Sequence, residues 1–168
     1  MTTAYVPTPG EFFVVRTQGW VGRAIRLVTD SDVNHACLYL GGDRTLEAQP
    51  HGAIYGKVSG YPEPLWSGVN PVLKELAVEY GPKIVAAAAG HHGDKYSFVD
   101  VGAIGLAKVF GVNLPRPIRD RLGDAHMNMC SQLVDRVYEE AGVHLFHDGR
   151  LHGDVSPGDL RQLITQTP

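Results

Sequence analysis

The chemistry this chain could perform starts at Cys130, inside the stretch 126-HMNMCSQLVDRVYEEAG-142. Asn128 is a favoured N-cap residue, so a helix is predicted to open there with Cys130 in its first turn. Unpaired backbone N–H groups and the helix dipole at such a terminus favour an anion and lower a thiol pKa. The same N–H groups can hold an oxyanion during acyl transfer. Cys130, Leu133, Val134, Val137 and Ala141 share one helix face, and Asp135, Arg136, Glu139 and Glu140 share the other. The sulfur is therefore expected to point inward. A buried structural cysteine is the competing reading, because free cysteines are among the most buried residues. A base within reach of the sulfur decides between the two.

The chain has eight histidines. His91, His92, His144, His147 and His152 lie in polar, loop-like segments, where a surface position is expected. His51 follows a proline in a loop. His126 precedes Cys130 by one helical turn, but the Asn128 cap places it outside the helix. His35 differs from all of these, because it opens an apolar strand, 34-NHACLYLG-41. A polar ring there needs a reason.

An acid that could orient it lies in the next strand. A hairpin turn centred on Gly41 would set Glu47 directly opposite His35, where the two side chains can bond. A turn centred on Gly42 would make Gln49 the partner instead. A tight two-residue turn at Gly42–Asp43 would send Glu47 to the other face, because the side-chain period of a strand is two. Cys37 shares the face of His35 but has no helix terminus to acidify it, so a packing role is expected for it.

Several elements must bring these residues together. Residues 11–16, EFFVVR, read as a strand. Residues 20–29 carry apolar positions at helical spacing. Residues 34–49 read as two strands around a Gly-Gly-Asp turn. A Gly/Pro-rich connector over residues 50–71 follows, with a short strand near Ile54, and its length marks it as a functional loop. Residues 72–80 fit helix or strand, and residues 82–90 read as a helix with Pro82 in its first turn. Residues 97–111 read as a glycine-interrupted helix. Ser156-Pro157-Gly158-Asp159 has the pattern of a capping box opening a terminal helix. Strands cluster early and helices late, which predicts one α+β domain spanning residues 1–168.

Bulk properties exclude other classes. The 168 residues are 43% hydrophobic and 20% charged, with a formal net charge of −3. This is a globular composition without the basic field that nucleic acid binding needs. Two cysteines make no disulfide framework. No apolar run approaches the roughly 20 residues of a membrane span, so no integral membrane segment is expected. The start, MTTAYVPTPGEFF, lacks a basic segment followed by an apolar one. The expectation is a soluble product made in the cytoplasm, with non-classical export or virion association as further routes.

The segments 11-EFFVVRTQGWVGRAIRLVT-29, 34-NHACLYLGGDRTLEA-48, 96-YSFVDVGAIGL-106, 129-MCSQLVDRVYEEAGV-143 and 155-VSPGDL-160 occur in this order. Together they resemble the circularly permuted branch of the NlpC-type papain-like cysteine peptidases and amidases, in which the histidine hairpin precedes the cysteine helix. The resemblance implies a papain-like fold, with an antiparallel sheet or partial barrel against the cysteine-bearing helix. It implies Cys130 as nucleophile, His35 as base and Glu47 as third member, with Gln49 the rival for that last place. It implies a small packed residue at position 37, from which Cys37 is a mild departure. Tyr96 matches a tyrosine ahead of the cysteine helix, and Tyr96, Ser131 and Gln49 are its candidate substrate-binding residues.

The expected chemistry is attack on an amide carbonyl through an acyl-enzyme, with no metal and no cofactor. A peptide in the cell wall is the leading substrate class. The alternatives are acyl transfer or lipid ester hydrolysis, as in proteins similar to lecithin retinol acyltransferase, and a non-catalytic module of a phage tail or secretion apparatus.

Overall fold

The computed structural model describes residues 5–18, 31–49, 52–95 and 129–166. The segments expected as helices at residues 20–29 and 97–111 lie outside these residues, as do His51, Tyr96, His126 and the Asn128 cap.

Among the described residues five strands form one antiparallel sheet. They are β1 (Phe12–Val15), β2 (His35–Gly41), β3 (Arg44–Gln49), β4 (Gly52–Lys57) and β5 (Leu65–Trp66), in the order β4-β3-β2-β1-β5. Three helices accompany them among the described residues: α1 (Pro71–Gly90), α2 (Met129–Glu140) and α3 (Pro157–Thr165). The molecule is thus α+β, as the sequence predicts. Among the described residues no helix is long and apolar enough to cross a membrane.

Alternation along the strands sorts side chains to two faces. Phe12, Val14, Ala36, Leu38, Leu46 and Ala48 pack with residues of all three helices, including Ile84, Val137 and Leu160, in the main core. Phe13, Val15, Cys37, Tyr39 and Trp66 form a smaller cluster on the opposite face, covered by Val58 and Tyr61. The connector after residue 50 is therefore more structured than its composition suggests. It supplies all of β4, the edge strand β5, and the turn that brings Tyr61 over the second face.

The β2–β3 hairpin corrects the expected register. Gly41 pairs with Arg44 across a two-residue turn at Gly42–Asp43, yet Tyr39 pairs with Thr45 and Leu38 with Leu46. Leu40 is the extra residue of a β-bulge. The bulge undoes the change of face that the tight turn alone would impose. Continued along the strands, this register sets Cys37 opposite Glu47 and His35 opposite Gln49. Glu47 is thus diagonal to His35 rather than directly across from it. Diagonal neighbours remain within reach of long side chains.

Helix α1 corrects a second expectation. Residues 71–90 are one continuous helix, with Asn70 as N-cap, Pro71 in the first turn and Pro82 inside. An interior proline removes one backbone hydrogen bond, to the carbonyl four residues earlier. That residue is Val78, which is 64% exposed, so water can serve its carbonyl. The neighbouring Gly81 has a reason of its own: a Cβ there would stand 2.5 Å from the Pro9 carbonyl oxygen. The helix can therefore cross the chain closely at Pro9–Gly10.

The ends of α2 and α3 follow the sequence closely. Gly142, at φ 88°, donates to Glu139 and Val143 donates to Tyr138, a Schellman stop. Ser156 and Asp159 form the predicted capping box.

Asn70 ties α1 to α3. Its Oδ1 accepts from Val72 N–H at 3.0 Å, and its Nδ2 donates to the carbonyls of Leu163 and Gln166 at 2.9 and 3.0 Å. Asn70→Ala removes the cap and both bridging donors. It is expected to lower unfolding free energy by about 2–3 kcal/mol, read from the denaturant midpoint. Asn70→Asp keeps the cap and should fall between the two.

Candidate active site

Local sequence explains how each site residue reaches its place. His35 is the first residue of β2, and its Nε2 lies 3.0 Å from Glu47 Oε2 on β3. The first turn of α2 meets this end of the strand. There the His35 ring and the backbone N–H groups of Ala36 and Ser131 act on the Cys130 thiol, favouring its anion. All three residues are buried, at 8% exposure for His35, 3% for Glu47 and 7% for Cys130. Since Nε2 is committed to the carboxylate, Nδ1 is the ring nitrogen left to serve the sulfur.

The carboxylate is held from several sides. Gln49 Nε2 donates to Oε2 at 2.7 Å, Tyr61 O–H donates to the same oxygen, and Thr45 O–H donates to Oε1 at 3.0 Å. The sequence left the third member open between Glu47 and Gln49. In the structure Glu47 takes the imidazole and Gln49 supports Glu47. Burial works against the Glu47 anion, but the hydrogen bonds from His35, Tyr61 and Gln49 outweigh it and bring its pKa down to about 2.

The ionisation states of the site follow from these contacts. Burial disfavours a charged His35, yet its neighbours Cys37, Cys130 and Glu47 raise its pKa well above the ordinary value. Burial also opposes a Cys130 thiolate, but the His35 hydrogen bond and charge, with the two backbone N–H groups, lower its pKa. Cys37 goes the other way, because burial dominates and raises its pKa. With its pKa raised, Cys37 is protonated at neutral pH, which leaves Glu47 and Cys130 as the anionic partners of His35. The arrangement favours a Cys130 thiolate beside a His35 imidazolium, the form a thiol nucleophile needs.

The remaining predicted residues are placed as follows. Ser131 is fully buried and its hydroxyl donates to the Val155 carbonyl, so its side chain anchors the segment after α2 while its N–H faces the thiol. Cys37 is fully buried in the smaller cluster, with its sulfur 4.0 Å from Glu47 Oε2. The surface expectation fails for His91, which is 8% exposed at the end of α1. Its two nitrogens meet Asp94 at 2.8 Å and Glu140 at 3.0 Å. This clamp joins α1 to α2 outside the candidate site.

Two site residues escaped the sequence reading. Tyr61 sits 5.7 Å, ring to ring, from His35 and bonds its acid. Gly56 on β4, paired with Thr45 on β3, lies directly against the carboxylate: a Cβ there would stand 1.6 Å from Glu47 Oε1. A glycine within a strand signals close approach by another group, and 54-IYGK-57 carries that signal. Tyr61 has no comparable mark in a Gly/Pro-rich loop.

Tyr61→Phe tests the support around Glu47. Removing one donor to a buried carboxylate should cost about 1.5–3 kcal/mol of stability. It should also raise the Glu47 pKa from about 2 toward the carboxylate norm. NMR titration of the Glu47 side chain, beside a denaturant melt, reads both.

Comparison of the chain with protein-family models found no matching family, and a search among curated proteins found no match.

Proposed function

We propose that this chain is a cysteine hydrolase of the circularly permuted NlpC type, with a papain-like arrangement of sheet and cysteine helix. It cleaves an amide bond through an acyl-enzyme, and cell-wall peptides are the leading substrate class. The observation that carries this reading is a single imidazole, His35, held 3.0 Å from Glu47 and lowering the pKa of the Cys130 thiol at the start of α2.

The steps follow from the residues. His35 Nδ1 takes the thiol proton, and Glu47 on Nε2 fixes the tautomer and stabilises the cation. The Cys130 thiolate attacks the carbonyl carbon, and backbone N–H groups at the start of α2 receive the oxyanion. The C–N bond breaks as the imidazolium protonates the leaving amine. His35 then activates water, which releases the acid and restores the thiol.

Three findings support this order of roles over its rivals. Cys130 rather than Cys37 has the lowered thiol pKa. The acid is triply supported on one oxygen, as an orienting group should be. The buried acid–imidazole pair fits a chemical role better than a structural one, because apolar packing of the same volume is often as stabilising or more so.

The deciding experiment is activity profiling of the purified chain against peptidoglycan stem peptides and acyl esters, with Cys130→Ala as control. Peptide turnover that disappears in the control supports the reading. Turnover of esters alone moves the chain to lipid or acyl-transfer chemistry. Turnover that survives Cys130→Ala overturns it.

A further inference from the structure

The nucleophilic step leaves one thiol at the site without a task. Cys37 is fully buried, and its sulfur lies on the same sheet face as His35 and Glu47. One ligand atom from each of these three residues lies within 4.8 Å of the other two. Thiolate sulfur, imidazole nitrogen and carboxylate oxygen are the donor set that a borderline-soft divalent cation selects.

We propose that His35, Cys37 and Glu47 also form an inhibitory site for a divalent cation of the zinc class. Three protein ligands leave a fourth tetrahedral position for water. Bonds of about 2.0–2.3 Å place tetrahedral donors about 3.3–3.8 Å apart. Two of the three edges bracket that range, 3.0 Å from His35 Nε2 to Glu47 Oε2 and 4.0 Å from Cys37 Sγ to the same oxygen, and the third lies within 4.8 Å. Small rotamer adjustments bring all three onto one ion.

The surroundings suit such a site. Thr45, Gln49 and Tyr61 already orient the carboxylate, the role outer partners play around a metal. Binding replaces protons: the cation takes the Nε2 lone pair and the Cys37 sulfur, and each proton released goes to solvent. No electron is transferred. His35 then has no charge to lend Cys130, and the nucleophile falls silent. Inhibition therefore rests on the hydrolase reading, whereas binding does not.

Cobalt(II) is the probe, because a thiolate on cobalt gives a charge-transfer absorption band. The reduced full-length chain is titrated with cobalt(II) and then zinc(II), as wild type, Cys130→Ala and Cys37→Ala. The chain has two cysteines, so in Cys130→Ala a thiolate band can come from Cys37 alone. The expected result is one equivalent of cobalt with the band in wild type and in Cys130→Ala, displaced by zinc. Cys37→Ala should lose the band, bind zinc at least about 100-fold more weakly, and keep a turnover that zinc no longer inhibits. The absence of the band in Cys130→Ala overturns the site, even if Cys37→Ala fails to fold. A zinc-displaceable band in a chain without turnover upholds the site while rejecting the hydrolase.

Discussion

Cys130→Ala is expected to lower turnover of the true substrate by about 10⁴-fold or more, with the fold intact. Loss of the nucleophile removes the whole covalent route and leaves only binding and oxyanion stabilisation. The structural change is small, since one sulfur atom is removed at the start of α2. The thermal midpoint should shift by only a few degrees, which separates chemical loss from unfolding. Cys37→Ala is the matched control. It removes the same atom from a more deeply buried position, yet turnover should stay within a few-fold of wild type. Equal losses in the two variants would contradict the division of roles between the two thiols.

The second large effect belongs to a residue with no side chain. Gly56→Ala builds a methyl group 1.6 Å from Glu47 Oε1, 2.7 Å from its Cδ and 2.8 Å from Thr45 Oγ1. The carboxylate must leave its place, and His35, Gln49 and Tyr61 lose their common acceptor. Overpacking and unsatisfied buried groups together should cost about 2–4 kcal/mol of stability. Without its orienting anion the imidazole loses both tautomer control and charge support, and turnover should fall on the order of 100-fold. Gly60→Ala is the control a few residues away, since an added Cβ there meets nothing within 4 Å. It should change stability by no more than about 0.5 kcal/mol. Denaturant melts and steady-state rates on both variants check the pair.

The two effects mark where the sequence is legible and where it is not. Helix α2 could be read from its apolar face and its Gly142 stop, and α3 from its capping box, because these signals are local. His35 stood out because a polar ring opened an apolar strand. The hairpin register was harder. The sequence admits a turn at several positions between Leu40 and Arg44, and only the bulge at Leu40 settles which face Glu47 occupies. Proline favours the first turn of a helix, so the sequence suggests a new helix opening at Pro82; the orphaned carbonyl belongs to exposed Val78, and the helix runs through. Tyr61 was not legible, because its contact with Glu47 joins residues 14 apart through a loop with no periodicity. Burial of His91 has no local signal for a similar reason: its partner Glu140 lies on another helix, 49 residues away.

The central claim is that His35, oriented by Glu47, acidifies Cys130. The direct test is the rate of iodoacetamide alkylation at Cys130 against pH, located by peptide mapping, in wild type and in Glu47→Gln. A thiol whose pKa is lowered reacts once pH rises through that lowered value. Wild-type Cys130 should therefore alkylate rapidly well below the ordinary thiol pKa of about 8.5. In Glu47→Gln the imidazolium loses its anion, and the profile should move up toward that ordinary value. A wild-type Cys130 that titrates at about 8.5 or above, unchanged by Glu47→Gln, would contradict the account.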